Sequence, residues 1–209
     1  MKKILVISGF SGVGKGTVVE KLMTLDPDIR LSISETDRER RNLMDRYHFV
    51  TPDEFQRNLK DGKYIEFNKY GNHHYATPRQ PVLEALTDGE GHPMILEIDV
   101  NGMRQVCQDI DLKRIGTEII SVLLVVDAVT LEKRLRNRGD TENEISKRLK
   151  IALAESQHIK EYDYVLVNQE VEDTANKLLA ILQGNRIDDK FDSEQFCEEM
   201  GKLLEKRGI

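Results

Sequence analysis

Cysteine is nearly absent. Cys107 and Cys197 are the only two among 209 residues, and no paired spacing surrounds them. That argues against a disulfide scaffold and a thiolate metal site, and makes a reducing cytoplasm the expected setting. Long apolar runs are missing too: none approaches the roughly 20 residues that span a bilayer. The opening MKKILVISGF sets two lysines before apolar residues, but SGFSGVGKG breaks the run at once, so it reads as a first buried strand and not a secretory signal. The chain has no excess of positive charge; its formal net charge of −6 argues against non-specific binding to nucleic acid. Internal repeats and low-complexity tracts are lacking as well. What remains is 39% hydrophobic and 33% charged, a globular composition long enough for one sizeable domain with insertions or two small ones.

Residues 3–8, KILVIS, suit a fully buried parallel strand, and VVEKLMTL shortly after carries helical spacing. Residues 30–34 and 47–50 are short strand candidates. TPDEFQRNLKDG reads as a helix with Thr51 or Asp53 at its start, Pro52 in its first turn and Gly62 past its end. KYIEFNKYGNHHYATP alternates around a Gly-Asn turn and predicts two antiparallel strands. RQPVLEALTDG is a helix, PMILEIDV and EIISVLLVVD are buried strands, and two helices run from about Leu131 to Lys160 with a break at RGDT. YDYVLVN is a last strand and VEDTANKLLAILQG a last core helix. In the polar tail, Phe196, Met200, Leu203 and Leu204 share a helix face behind a cap at Asp192 or Ser193, and should pack on the core or on a second subunit. Strands alternating with helices predict an α/β fold, a parallel sheet flanked by helices. The mainly-β piece from 35 to 78 breaks that rhythm and reads as an inserted subdomain.

GFSGVGKGT sits between a strand and a helix and fits the phosphate-loop pattern G-x-x-x-x-G-K. Gly9, Gly12 and Gly14 let the backbone wrap phosphates, with Ser11, Val13, Gly16 and Thr17 in the same loop. Lys15 should reach the β- and γ-phosphates. Gly16 stands where a Ser or Thr usually binds magnesium; Thr17 offers a hydroxyl one residue later. No direct metal ligand is therefore assigned, and Mg2+ is expected to lean on water and the nucleotide near Thr17.

A second stretch, TDRERRNLMDRYHF at 36–49, gathers four arginines, Arg38, Arg40, Arg41 and Arg46, in an acidic chain. A fixed fork of donors suits phosphate. With SISETDRERR, YHFV, EF, YATP, LEIDVNG, RLRNRG, KRL and YDYVLVN in this order, residues 3–183 resemble the guanylate kinase family. The resemblance implies a P-loop NTPase-type sheet with an inserted GMP-binding subdomain and a helical lid, acting on ATP and GMP with Mg2+ and no general base. It divides the chain into core (1–34, 79–129, 153–184), GMP-binding subdomain (35–78), lid (130–152) and tail (185–209), as a monomer or homodimer. It assigns the acceptor phosphate to Arg38, Arg41, Tyr47 and Tyr75, and the guanine to Ser34, Glu66, Thr77 and Asp99. It assigns catalytic charge to Lys15, Arg134, Arg138 and Arg148, and the ATP base to Asn168. Arg40 and Arg46 match no functional position and read as solvated. His73 and His74 are adjacent on a strand, point to opposite faces, and argue against a metal site.

The departures from the family pattern lie in the acceptor segment. Asp37 replaces a threonine, the loop after Arg41 is about three residues short, and its Gly-Glu pair is gone. Arg46 replaces an aspartate, Phe67 a tryptophan and Ala76 a glycine. An acid at 37 should repel the acceptor phosphate or draw Arg38 away, so Asp37→Thr is expected to lower the Michaelis constant for GMP. Two other readings stay open: a P-loop kinase with another acceptor, such as a ribose bisphosphate or another nucleoside monophosphate, and a guanylate-kinase-like binding module with weak catalysis.

Overall fold

The computed structural model describes residues 2–40, 46–189 and 191–208. In chain order the elements are β1 (Lys3–Gly9), α1 (Lys15–Leu25), β2 (Arg30–Leu31), β3 (Glu35–Thr36), β4 (His48–Phe49), α2 (Pro52–Lys60), β5 (Tyr64–Tyr70), β6 (His73–Pro78), α3 (Arg79–Thr87), β7 (Met94–Glu97), α4 (Val100–Gln108), α5 (Ile110–Arg114), β8 (Glu118–Val125), α6 (Ala128–Asn137), α7 (Glu142–Ser156), β9 (Tyr164–Val167), α8 (Val171–Leu182) and α9 (Ser193–Lys206). A five-stranded sheet has the order β2-β7-β1-β8-β9, with β2 and β7 parallel and β8 and β9 parallel. A second sheet of four strands has the order β4-β3-β6-β5. The chain forms two compact units. One holds 1–6 and 28–120, the other 7–27 and 121–209.

In the first unit, α2 starts as its sequence dictates. The Thr51 side chain accepts from the Glu54 amide, and Pro52 sits in the first turn, where its missing N–H costs nothing. β5 and β6 form the expected hairpin, pairing Phe67 with Ala76 and Tyr70 with His73. Its register shifts between Tyr64 and Glu66, since Tyr64 faces Pro78 while Glu66 faces Thr77. The extra residue is a bulge, a device that re-aims side chains. The strand expected over PMILEIDV is shorter than its apolar run. β7 ends at Glu97, and Asp99 turns the chain into α4 by accepting from the Gly102 amide. Neither α4 nor α5 stands out in the sequence, because a strand-like run flows into them without a break.

The second unit holds the phosphate loop, the two lid helices and the tail. α7 opens with a capping box, Thr141 and Glu144 bonding each other's backbone amides. α9 starts at Asp192, which accepts from the Glu194 and Gln195 amides. The tail packs on its own unit: Phe196, Met200 and Leu204 are buried and Leu203 is half-buried. Helix α9 packs mainly on α6 and α7.

One polar joint ties β8 to the approach to β9. The Asp163 carboxylate accepts from the Ser121 amide at 2.8 Å and its hydroxyl at 2.7 Å, and the Asp163 amide donates back to that hydroxyl at 3.0 Å. Ser121 is buried. Asp163→Ala should leave its two donors unmade and lower unfolding free energy by about 1–3 kcal/mol, read by denaturant titration, with turnover unchanged.

Candidate active site

The chemistry-bearing residues fall into two groups, one in each unit. The first is the loop between β1 and α1. Its backbone must pass where side chains do not fit. A Cβ on Gly9 would lie 2.6 Å from the Leu124 carbonyl oxygen, and one on Gly12 would lie 2.8 Å from Leu135 Cδ2. Gly14 is left-handed, with φ 96°, and begins α1 with no side-chain cap and no acidic residue in the first turn. The helix thus presents its amide end without a built-in anion. Lys15 Nζ donates to the Gly9 carbonyl at 2.5 Å, folded back over the loop. Gly16 and Thr17 are exposed, so the Thr17 hydroxyl faces solvent at the helix start.

Two lid arginines reach this loop. Arg134, on α6, donates to the carbonyls of Val13 (2.7 Å), Asn168 (2.9 Å) and Gln169 (3.3 Å). Arg148, on α7, donates to Ser11 Oγ at 2.6 Å. Its buried Nε lies 2.9 Å from Asp140 Oδ2, without the alignment of a hydrogen bond. The third, Arg138, is held by the same Asp140, through Nε at 3.1 Å and through a shorter bond from Nη2. Hydrogen bonding from Arg138 holds the Asp140 carboxyl below its ordinary value despite partial burial. Asn168 is 1% exposed, its Nδ2 donates to the Val13 carbonyl at 2.7 Å and its Oδ1 accepts from Thr174 at 2.9 Å, so it braces the loop.

The second group lies in the four-stranded sheet and α4. Glu66 is 4% exposed. Its Oε1 accepts from Thr77 Oγ1 at 2.7 Å. Burial pushes its carboxyl up to about 7; the Thr77 bond opposes that rise and the charge of Asp99 adds to it. Asp99 accepts from the Gly102 amide with one oxygen, at 2.9 Å, and from Asn68 with the other. Gly102 is where Glu66 meets α4, since a Cβ there would lie 2.6 Å from Glu66 Oε2. Arg38 is 7% exposed, with its guanidinium carbon 5.0 Å from the Tyr47 ring centre and 5.5 Å from that of Phe49. Tyr47 in turn meets Tyr75 edge-on at 5.6 Å. Arg40 is exposed, as expected, with its guanidinium carbon 4.6 Å over the Phe49 ring. Ser34 is half-buried beside them, its carbonyl accepting from the His48 amide. Arg41 lies outside the described residues.

Asp37 also departs from expectation. Its carboxylate turns from the acceptor arginines to β6, where Oδ1 accepts from the His74 amide at 2.7 Å and Oδ2 lies 2.5 Å from His74 Nδ1. Burial raises its carboxyl, and the bonds from His74 outweigh that and leave it below its ordinary value. His74 also stacks on Phe55, so the acid is tied into the subdomain core. Asn68, Gly102, Asp140 and Phe49 were not singled out in the sequence. For Asn68 a signal was present: it stands two residues from Glu66, on the same face of an alternating strand.

A glycine-wrapped loop opening a helix, below a parallel sheet and crossed by lid arginines, defines the P-loop nucleotide-binding class. The Guanylate kinase family profile matches residues 1–185. The chain is 36% identical over 193 residues to guanylate kinase from Carboxydothermus hydrogenoformans, covering 90% of each, and 38% identical over 185 residues to that of a Synechocystis species, covering 86% of this chain and 93% of the other. The crystal structure of guanylate kinase from Anaplasma phagocytophilum superposes with a TM-score of 0.68 at 27% identity, covering 99% of this chain and 95% of that one. The chain belongs to the guanylate kinase family.

Two substitutions probe the acceptor group. Asp37→Thr should now raise the GMP Michaelis constant and cost about 1–3 kcal/mol of stability, because His74 loses both its bonds. The opposite sign, tighter GMP, would restore the repulsion argument. Gly102→Ala gains helix propensity, but its Cβ would press on buried Glu66 and on Ile98 Cβ, so it should raise the GMP constant at least about tenfold and lower the melting temperature.

Proposed function

We propose that the chain transfers the γ-phosphoryl group of ATP to GMP, giving ADP and GDP. The observation that carries this reading is Glu66, a buried carboxylate held by Thr77 with Asp99 and Asn68 beside it. Guanine presents two donors on one edge, N1–H and the 2-amino group, and a carboxylate accepts both. Adenine would turn a bare lone pair toward it, and a ribose bisphosphate has no use for such a reader. Mispairing at a buried polar site supports discrimination of roughly 10⁴. Lys15 and the arginines on the loop favour an active kinase over a binding module.

The attacking oxygen of GMP is already anionic, so the reaction needs no general base. The protein supplies alignment and neutralising charge. In this reading the amides opening α1 hold the ATP phosphates, and Lys15 leaves the Gly9 carbonyl to reach them. Arg148 and Arg138 bring charge to the transferring group, while Arg134 keeps the loop in shape from its three carbonyl contacts. Arg38, Tyr47 and Tyr75 take the acceptor phosphate with Arg41, and Ser34 and Thr77 flank the base. Mg2+ bound with ATP would neutralise the phosphates between which the bond breaks. The hard, exposed Thr17 hydroxyl fits it, and among the described residues no cluster of three or more His, Cys, Asp or Glu could hold an ion unaided. We also assign the chain to the cytoplasm, on its cysteine usage; no helix among the described residues is long and apolar enough to cross a membrane.

A coupled assay with GMP, dGMP, AMP and CMP tests the substrate, and GMP should exceed AMP and CMP by orders of magnitude. The pH profile tests the reader. Only ionised Glu66 accepts both guanine donors, so with a carboxyl near 7 the GMP constant should rise about tenfold from pH 8 to pH 6, while that for ATP barely moves. Glu66→Gln should weaken GMP and flatten the profile. Stability runs the other way. A folded-state value raised above the unfolded one adds stability below about pH 4 that is lost as pH climbs through 7, roughly 3 kcal/mol in all. A GMP constant independent of pH in the native chain would remove Glu66 from this role.

A further inference from the structure

The family profile stops at residue 185, and the chain then runs on through α9. The segment beyond 185 makes three anchored contacts within its unit, each one step from the phosphate loop or from α6 and α7. The first is at the sheet edge. Asp189 accepts from the Val167 amide at 3.1 Å, the residue before Asn168, and from Lys177 at 2.8 Å. The second is at the loop. Phe196 stacks on Phe10 with ring centres 5.2 Å apart and planes 12° apart, and both rings are buried. Phe10 directly follows Gly9, and its carbonyl accepts from the Val13 amide to close the turn of the loop. The third is at the lid. Arg207, its side chain 13% exposed, bonds Glu132 on α6 at 2.6 Å and Glu142 on α7 at 2.8 Å, and reaches Ser146 at 3.3 Å.

The third contact has a mechanical meaning. α6 carries Arg134 and α7 carries Arg148, and the short link between the helices turns at Gly139, with φ 89°. A left-handed glycine hinge does not by itself fix the angle between two helices. Arg207 bridges a carboxylate on each, Glu132 and Glu142, and shares both with Arg136 of α6, so a change of that angle breaks charged bonds at this cluster. A guanidinium suits this because its planar fork serves two carboxylates at once. Arg148 meets Ser11 only if α7 keeps its angle to α6, which itself is pinned to Val13 by Arg134.

We propose that Asp189, α9 and Arg207 form a strap that sets the geometry of the nucleotide half, with Arg207 and Phe196 as positioning residues. Arg207 holds Arg148 on the loop by locking α7 to α6, and Phe196 supports the loop through Phe10. This rests on the reading of that half as the ATP site, so the test separates the two. Binding of a non-hydrolysable ATP analogue is measured by calorimetry on the full-length chain, independently of any acceptor, beside steady-state constants for ATP and GMP well below the melting temperature. Micromolar binding to the native chain secures the ATP site whatever the variants do.

In Arg207→Ala, analogue binding should weaken about five- to tenfold and the ATP constant rise with it, while the GMP constant stays within about twofold. Arg207→Lys, which keeps charge but loses the fork, should fall between. Because Arg207 acts through Arg148, adding Arg207→Ala to Arg148→Ala should cost no more than about twofold further. Phe196→Leu keeps an apolar side chain in place and should weaken the analogue without changing GMP. The strap is overturned if Arg207→Ala and Phe196→Leu lower only the melting temperature, leaving ATP constants at native values, or if the penalties of Arg207→Ala and Arg148→Ala simply multiply.

Discussion

The carbonyl oxygen of Val13 holds the nucleotide half together. Arg134 and Asn168 both donate to it at 2.7 Å, one from the lid helix and one from beyond the last strand. A trans peptide points its C=O and the following N–H in opposite directions. Drawing the Val13 oxygen toward these two donors therefore turns the Gly14 amide the other way, out toward an anion. A side chain at Gly14 would be strained, since its φ is 96° and a Cβ would lie 3.0 Å from Asn168 Nδ2. The glycines, the buried asparagine and the lid arginine thus answer one requirement, a main chain bent so that its amides face out.

The two halves handle charge differently. Around the loop, cations are parked on neutral carbonyls, on a serine hydroxyl and on Asp140, which holds Arg138 and lies against Arg148. In the other unit burial raises the Glu66 carboxyl to about 7. In the function proposed above, guanine's two donors would offset that desolvation penalty. The same burial that destabilises the empty carboxylate sharpens its preference for a base that satisfies it.

Much of this was legible in the chain. The phosphate loop, the hairpin of β5 and β6, the cap at Thr51 and the buried face of α9 each rest on local chemistry: glycine freedom, alternation, a capping hydroxyl, a helical stripe. What was missed depended on partners far along the chain. α4 hid behind a strand-like run, because its cap, Asp99, looked like the end of a strand. Nothing local says that Asn168 would meet Thr174 and Val13. The amphipathic tail showed that it must pack. It did not show what it packs on, since Phe10 lies 186 residues earlier and the carboxylates that Arg207 bridges belong to two different helices.

The arginine-rich stretch shows the same limit most sharply. Read as a string, Asp37 beside Arg38 is a repulsive neighbour for a phosphate. Read with its partner strand, it is the acceptor for two bonds from His74, and its backbone joins the same strand pair. The Asp37 carboxylate faces His74 while the Arg38 guanidinium lies against Tyr47 and Phe49, so the two side chains occupy different positions. Arg38 is steered by the rings of Tyr47 and Phe49, and Arg40 rests on Phe49 as well. Stacking engages the face of a guanidinium and leaves hydrogen bonding to its edge. An aromatic shelf can therefore gather the faces of two arginines in an acidic chain.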